Sequence, residues 1–127
     1  MDGVILTPLK QMFHPQGNVF HVMKKSDSQF DKFGEAYFST INKGEIKGWK
    51  KHTKMILNLT VPIGEIKFVI YDENNKNFFS IALSANNYFR LTVKPNLWMA
   101  FKGLDKVNML LNIANLEHDS SEAINTK

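Results

Sequence analysis

Short apolar runs with a two-residue period dominate the chain. The clearest is 65–72, "EIKFVIYD", where Ile66, Phe68 and Ile70 fall on one face and Lys67, Val69 and Tyr71 on the other. Comparable runs occupy 3–9 ("GVILTPL"), 18–23 ("NVFHVM"), 35–41 ("EAYFSTI") and 55–61 ("MILNLTV"). The theme continues at 78–83 ("FFSIAL"), 88–93 ("YFRLTV"), 97–101 ("LWMAF") and 107–114 ("VNMLLNIA"). Turn-forming residues separate the later ones: "DENNKN", "SANN", "KPN" and "KGLDK". The two runs flanking Pro62-Ile63-Gly64 predict a hairpin. Only 26–36, "SDSQFDKFGEA", reads as helical, with Ser26 as cap and Gly34 as stop. Many short strands joined by regular turns predict an all-β sandwich or barrel with at most one short helix.

Length and charge narrow the reading. A chain of 127 residues supports one core, so one domain is expected over 1–118, followed by a polar tail, 119–127, that frays. Hydrophobic and charged contents of 43% and 22% are those of an ordinary soluble protein. No apolar run approaches the roughly 20 residues needed to span a bilayer. The first residues carry Asp2 where a secretory signal carries basic residues, so a cytoplasmic location without a membrane partner is expected. With no cysteine, the chain can form no disulfide, thiolate metal site or cysteine nucleophile. The net charge of +4 comes with a single arginine, Arg90, and lysines scattered along the whole chain. That scatter argues against a nucleic-acid partner and for a small anionic substrate.

Four stretches, in order, carry a likeness to a known family. They are "GNVFHVM", "GEIKGWKKH", "VPIGEIKFVIYD" and "LSANNYFRLTVKPNLWMAF". Together they resemble the small cupin barrels of the dTDP-4-dehydrorhamnose 3,5-epimerase family over about residues 3–118. The resemblance implies a double-stranded β-helix (a jelly-roll barrel), a homodimer, and a nucleoside-diphosphate sugar as ligand. It also implies proton transfer beside a 4-keto group, by a histidine and a tyrosine with a lysine holding the enolate. The expected activity is that of an epimerase or isomerase in surface-polysaccharide synthesis, with no cofactor. A non-catalytic sugar-nucleotide-binding or partner protein of the same fold is the alternative.

Carried over residue by residue, the family's diphosphate-binding arginine falls on Lys47, which keeps the charge without the bidentate fork. Its catalytic histidine falls on Lys50, its second pocket histidine on Met99, its catalytic tyrosine on Asn112, and its lysine near Leu57. Lys50 acts as a base only if burial or neighbouring cations lower its pKa; otherwise it is a charged residue at the pocket mouth. His52, two residues along the same strand, faces the same side, and an imidazole suits proton transfer near neutrality. A histidine simply hydrogen-bonded in a barrel wall is the competing reading. Glu35 and Tyr37 share a strand face with Ser39 and offer a carboxylate and a phenol; a polar strand face at the barrel rim is the competing reading. His21, Trp49 and His118 complete the candidate substrate contacts, with Trp49 and Trp98 large enough to stack on a nucleotide or fill a core. No metal is expected, because the strand offers Lys-x-His where metal-binding cupins have His-x-His, and Met99 stands in the late ligand position.

Overall fold

A computed structural model describes residues 1–126; Lys127, the last residue of the expected tail, lies outside the described residues. The strands in chain order are β1 (Val4–Pro8), β2 (Gln11–Met12), β3 (Val19–Phe20), β4 (Glu35–Thr40), β5 (Ile46–His52) and β6 (Leu57–Ile63). They continue as β7 (Glu65–Asp72), β8 (Asn77–Ser84), β9 (Phe89–Val93), β10 (Trp98–Gly103), β11 (Met109–Ala114) and β12 (Ala123–Asn125). Two five-stranded sheets result, in the orders β1-β9-β6-β11-β4 and β12-β5-β10-β7-β8, with β2 and β3 as a separate pair. All pairings between these strands are antiparallel. The all-β fold expected from the apolar period is the one observed.

The period of two explains how the sheets close on each other. Ile66, Phe68 and Ile70 of β7 are fully buried, as their alternation requires. They meet Leu57, Leu59 and Val61 of β6, Leu91 and Val93 of β9, and Leu110 of β11 in one continuous cluster. Each such side chain contributes roughly 1.5–3 kcal/mol by leaving water.

Three expectations give way to the structure. The hairpin at Pro62-Ile63-Gly64 does not form: β6 pairs with β9 and β11, whereas β7 pairs with β8 and β10. Here the chain crosses from one sheet to the other, and buried Asn108 clamps the crossing. Its Oδ1 accepts from Glu65 N at 2.9 Å, and its Nδ2 donates to Ile41 O at 3.0 Å. Gly64 makes the turn with φ of 79°, and a Cβ there would lie 2.1 Å from Val107 O. The true hairpin joins β7 to β8, where Asp72 accepts from Asn74 N and Asn75 N at 3.1 and 3.3 Å.

The helix expected over 26–36 is absent: turns occupy the segment through residue 29, and irregular chain follows until β4 begins. Asp27 is drawn off any helix by its carboxylate, which accepts from Lys24 N at 2.8 Å and from buried Arg90 Nη1 at 3.0 Å. The polar residues 119–126, expected to fray, are instead tied down. Ser120–Glu122 form a 3-10 turn capped by Asp119, and β12 then pairs with β5, placing Ala123 opposite His52 and Asn125 opposite Lys50.

The crossing at Gly64 yields a direct test. Gly64→Ala is expected to lower unfolding stability by at least about 2 kcal/mol, because the backbone conformation and the Val107 carbonyl both reject a methyl group. Urea denaturation followed by tryptophan fluorescence measures it; a change within about 0.5 kcal/mol refutes the crossing geometry.

Candidate functional site

Inside the barrel, β4, β5, β6, β10, β11 and β12 enclose a cavity of about 260 Å³. Its floor is apolar, from Leu57, Leu59, Leu110, Met99 and Phe101, and its functional groups come from Tyr37, Ser39, Lys47, Lys50, His52, Asn112 and Asn125.

A bulge in β5 sorts these residues. Strict alternation would put Lys47 on the face of Trp49 and Lys51, away from Lys50 and His52. Opposite β10, however, Met99 pairs with Lys50 and Phe101 with Lys47, so Ala100 alone faces both Gly48 and Trp49. The inserted residue flips the parity, which brings Lys47 into the cavity with Lys50 and His52 and turns Trp49 outward. Only glycine fits at position 48, since φ is 142° and a Cβ would lie 2.6 Å from Ala100 Cβ.

His52 is held by Glu122. Its Nδ1 is hydrogen-bonded to Glu122 Oε1, while Glu122 Oε2 accepts from Lys54 N at 3.0 Å and Met55 N at 3.1 Å. Glu122 is only 5% exposed. Burial by itself pushes its pKa up, but the bonds from His52, Lys54 and Met55 outweigh that and hold the carboxyl below its ordinary 4.5. An ionised carboxylate on Nδ1 fixes the ring's tautomer and orientation, leaving Nε2 of a cavity-lining imidazole without a protein hydrogen bond among the described residues.

A second pair lies across the barrel wall. Tyr37 on β4 and Asn112 on β11 are register partners, and Asn112 Nδ2 donates to the Tyr37 hydroxyl at 3.1 Å. Asn112 is fully buried and its own Oδ1 accepts from Asn58 N at 3.0 Å, so its orientation is set. With an amide N–H on its oxygen, the phenol keeps its own proton to donate. At the mouth, Lys47 Nζ donates to Thr40 O at 2.7 Å, which steadies one ammonium while Lys50 stays exposed.

The cavity thus gathers His52, Lys50, Tyr37, Lys47, Met99 and Asn112, but not Glu35, Trp49, His21 or His118. Glu35 lies one inward-facing position beyond Tyr37, at the start of β4. Trp49 is displaced by the bulge. His21 follows the short strand β3 and borders a different hollow with Lys10 and Lys24; the run 18–23 extends as strand only over Val19–Phe20. His118 is exposed just before the last 3-10 turn. Glu122 and Asn125 went unnoticed in the sequence because they stand in a polar stretch without periodicity. Among the described residues, no three histidine, aspartate or glutamate side chains converge as a metal set.

The same architecture recurs in solved structures. A dTDP sugar isomerase from Desulfovibrio desulfuricans superposes with a TM-score of 0.95 at 28% identity, over 99% of this chain and 85% of that one. The fold is that of the RmlC-like cupins. The 3,4-ketoisomerase QdtA from Thermoanaerobacterium thermosaccharolyticum, as a point mutant in complex with TDP-4-keto-6-deoxyglucose, aligns at 0.84 and 22% identity, over 98% of this chain and 88% of that one. RmlC from Legionella pneumophila, bound to dTDP-4-keto-L-rhamnose, aligns at 0.87 and 14% identity, over 98% and 73% of the two chains. No family model and none of the curated proteins matches the chain.

The buried carboxylate sets a pH dependence. Glu122 has a folded pKa below its unfolded value, so its stabilising contribution is complete above about pH 4.5 and disappears as pH falls through the lower, folded value. Glu122→Gln should therefore flatten the acid limb of the stability curve below about pH 5 while also lowering stability at neutral pH. Urea midpoints across that range provide the check, and identical acid slopes for the two proteins would refute the assignment.

Proposed function

We propose that the cavity binds a nucleoside-diphosphate-linked 4-keto-deoxysugar and catalyses proton transfer next to its ketone, as a carbohydrate epimerase or ketoisomerase. The observation that carries this reading is the Glu122–His52 pair, a buried carboxylate fixing an imidazole that lines an apolar-floored cavity and whose other nitrogen has no protein hydrogen bond among the described residues. The likeness to dTDP-sugar isomerases and epimerases supports the substrate class.

In the proposed first step, His52 Nε2 takes the proton from the carbon beside the ketone. The C–H electrons form the carbon–carbon double bond, and the carbonyl π electrons move to oxygen. That oxygen accepts a hydrogen bond, then the proton, from Tyr37 Oη, whose orientation Asn112 sets. Return of a proton to the same carbon from the opposite face, with the enol O–H proton going back to Tyr37 Oη as the carbonyl re-forms, gives an epimer; its return to the former carbonyl carbon, with loss of the neighbouring hydroxyl proton, gives the isomeric ketone. Lys47 and Lys50 at the mouth would neutralise the diphosphate as point charges. Tyr37 occupies the role for which Asn112 has no proton, and Glu122 supplies the anchor that the imidazole needs. By resemblance to this class of enzymes, the proposed setting is a cytoplasmic homodimer serving surface-polysaccharide synthesis.

The decisive measurement uses TDP-4-keto-6-deoxyglucose in deuterated water, followed by NMR. Deuterium should enter at a carbon flanking the ketone, His52→Asn should slow it by about 10²–10⁴-fold, and Tyr37→Phe by a smaller factor. Glu122→Gln should reduce turnover with little change in KM, because it acts through the orientation of His52. Binding without exchange in the wild type would instead assign a non-catalytic sugar-nucleotide binder. Full exchange in His52→Asn would remove His52 from the mechanism.

A further inference from the structure

One rung of the second sheet crosses all five strands. Phe78, Tyr71, Trp98, Lys51 and Ile124 are successive register partners on β8, β7, β10, β5 and β12. Ile70 and Met99 point into the barrel, so their chain neighbours Tyr71 and Trp98 point outward, and the rung forms a strip on the external face. The rings of Tyr71 and Phe78 stack with centroids 4.4 Å apart, and Phe78 is 68% exposed. Lys51 Nζ lies 4.9 Å from the centroid of Trp98. The Trp98 indole N–H donates to Glu73 Oε2 at 3.0 Å, and Lys51 Nζ sits 3.7 Å from the same oxygen. Trp49, sent outward by the β5 bulge, closes the hollow with Asn125 and Thr126. Its volume is about 600 Å³, within the roughly 300–1,000 Å³ of small-ligand sites.

The charges at this hollow select the ligand. Lys51 already covers one ring face, which disfavours a second cation such as a methylated ammonium. Glu73 is held below its ordinary 4.5 by the indole hydrogen bond and the Lys51 charge, so an ionised carboxylate repels a phosphate. What remains complementary is a neutral molecule with an apolar face for the rings and hydroxyls at its edge. Glu73 Oε1, without a protein hydrogen bond among the described residues, and the Lys51 ammonium supply an acceptor and a donor for such hydroxyls. A pyranose ring has that shape, with C–H groups on its face and hydroxyls around its rim.

We propose that the outer aromatic hollow of Tyr71, Phe78, Trp98 and Trp49 binds a neutral pyranoside through ring stacking, with Glu73 and Lys51 bonding its hydroxyls. The site lies on the outer face of the sheet; it shares the edge residue Asn125 with the cavity wall but none of the groups that carry the proposed proton transfer, so it stands independently of that reaction.

The probes are methyl β-D-glucopyranoside and cellobiose, titrated to about 100 mM while the indole N–H resonances are followed by NMR, a range that captures millimolar binding. The expected result is saturable movement of the Trp49 and Trp98 resonances with either probe, unchanged when dTDP is added. Phe78→Ala, at an exposed position, and Glu73→Ala should each weaken that binding several-fold, and Trp98→Ala at least tenfold. Retained stability of the Phe78→Ala and Glu73→Ala proteins keeps the test valid if Trp98→Ala fails to fold. The proposal is overturned if neither probe moves the indole resonances, or if dTDP displaces the sugar. It is also overturned if Phe78→Ala and Glu73→Ala bind as the wild type does. A concentration-dependent dimer broken by Phe78→Asp, with no saccharide response, would assign the strip to a second copy of this chain.

Discussion

A carboxylate removed from water must be given donors or it will not stay charged, and Glu122 meets that condition in a way that organises half of the barrel. Its donors are two backbone N–H groups, on Lys54 and Met55, and the ring of His52. All lie in or just beyond β5, so the bond network fixes where the C-terminal segment must dock. Once docked, that segment pairs with β5, from Ala123 opposite His52 to Asn125 opposite Lys50. Thr53 tightens the same junction, its N–H and hydroxyl both donating to Glu122 O, at 2.8 and 2.7 Å. One buried charge therefore orients the imidazole, adds the edge strand of the second sheet and brings Asn125 to the cavity wall.

The β5 bulge is the complementary constraint. Without it, the strand would present alternate residues strictly, and the lysines at 47 and 50 could not both face inward. The two-against-one match at Ala100 places both ammonium groups and His52 on one side, at the cost of a position that only glycine can occupy. The same flip sends Trp49 out to join Trp98 on the opposite face. Chemistry within and aromatic surface without are two results of one inserted residue.

Much of the fold was legible because a period of two is a local property. The runs at 65–72, 78–83, 88–93, 97–101 and 107–114 all became strands, at nearly the expected bounds. Partner choice was not legible, because it depends on residues far apart in sequence. Asn108, 43 positions from Glu65, decides that β6 and β7 part company. Arg90, 63 positions from Asp27, helps hold 26–36 out of a helix. The site divides along the same line. The co-facing of Lys50 and His52 follows from spacing within one strand, whereas the Glu122 anchor and the Tyr37–Asn112 bond join residues 70 and 75 positions apart. Asn112, the position on which the resemblance places the family's tyrosine, shares its rung with Tyr37 of the neighbouring strand.

Neighbouring strands of such a barrel bring side chains to shared positions. In an antiparallel sheet, register partners project side chains from neighbouring strands to almost the same place, with Cβ atoms about 4.5–5.5 Å apart. Asn112 on β11 and Tyr37 on β4 illustrate this, the amide of one reaching the hydroxyl of the other at 3.1 Å. The asparagine then does what the tyrosine could not do for itself. It occupies the hydroxyl's lone pair with an amide proton, so the phenol's own proton is directed elsewhere. Along a single strand the spacing of two has a similar effect, and Lys50 and His52 line the same cavity. Functional groups in such a wall are set by the rung and the face they occupy, and a comparison made position by position along the chain sees only one coordinate of two.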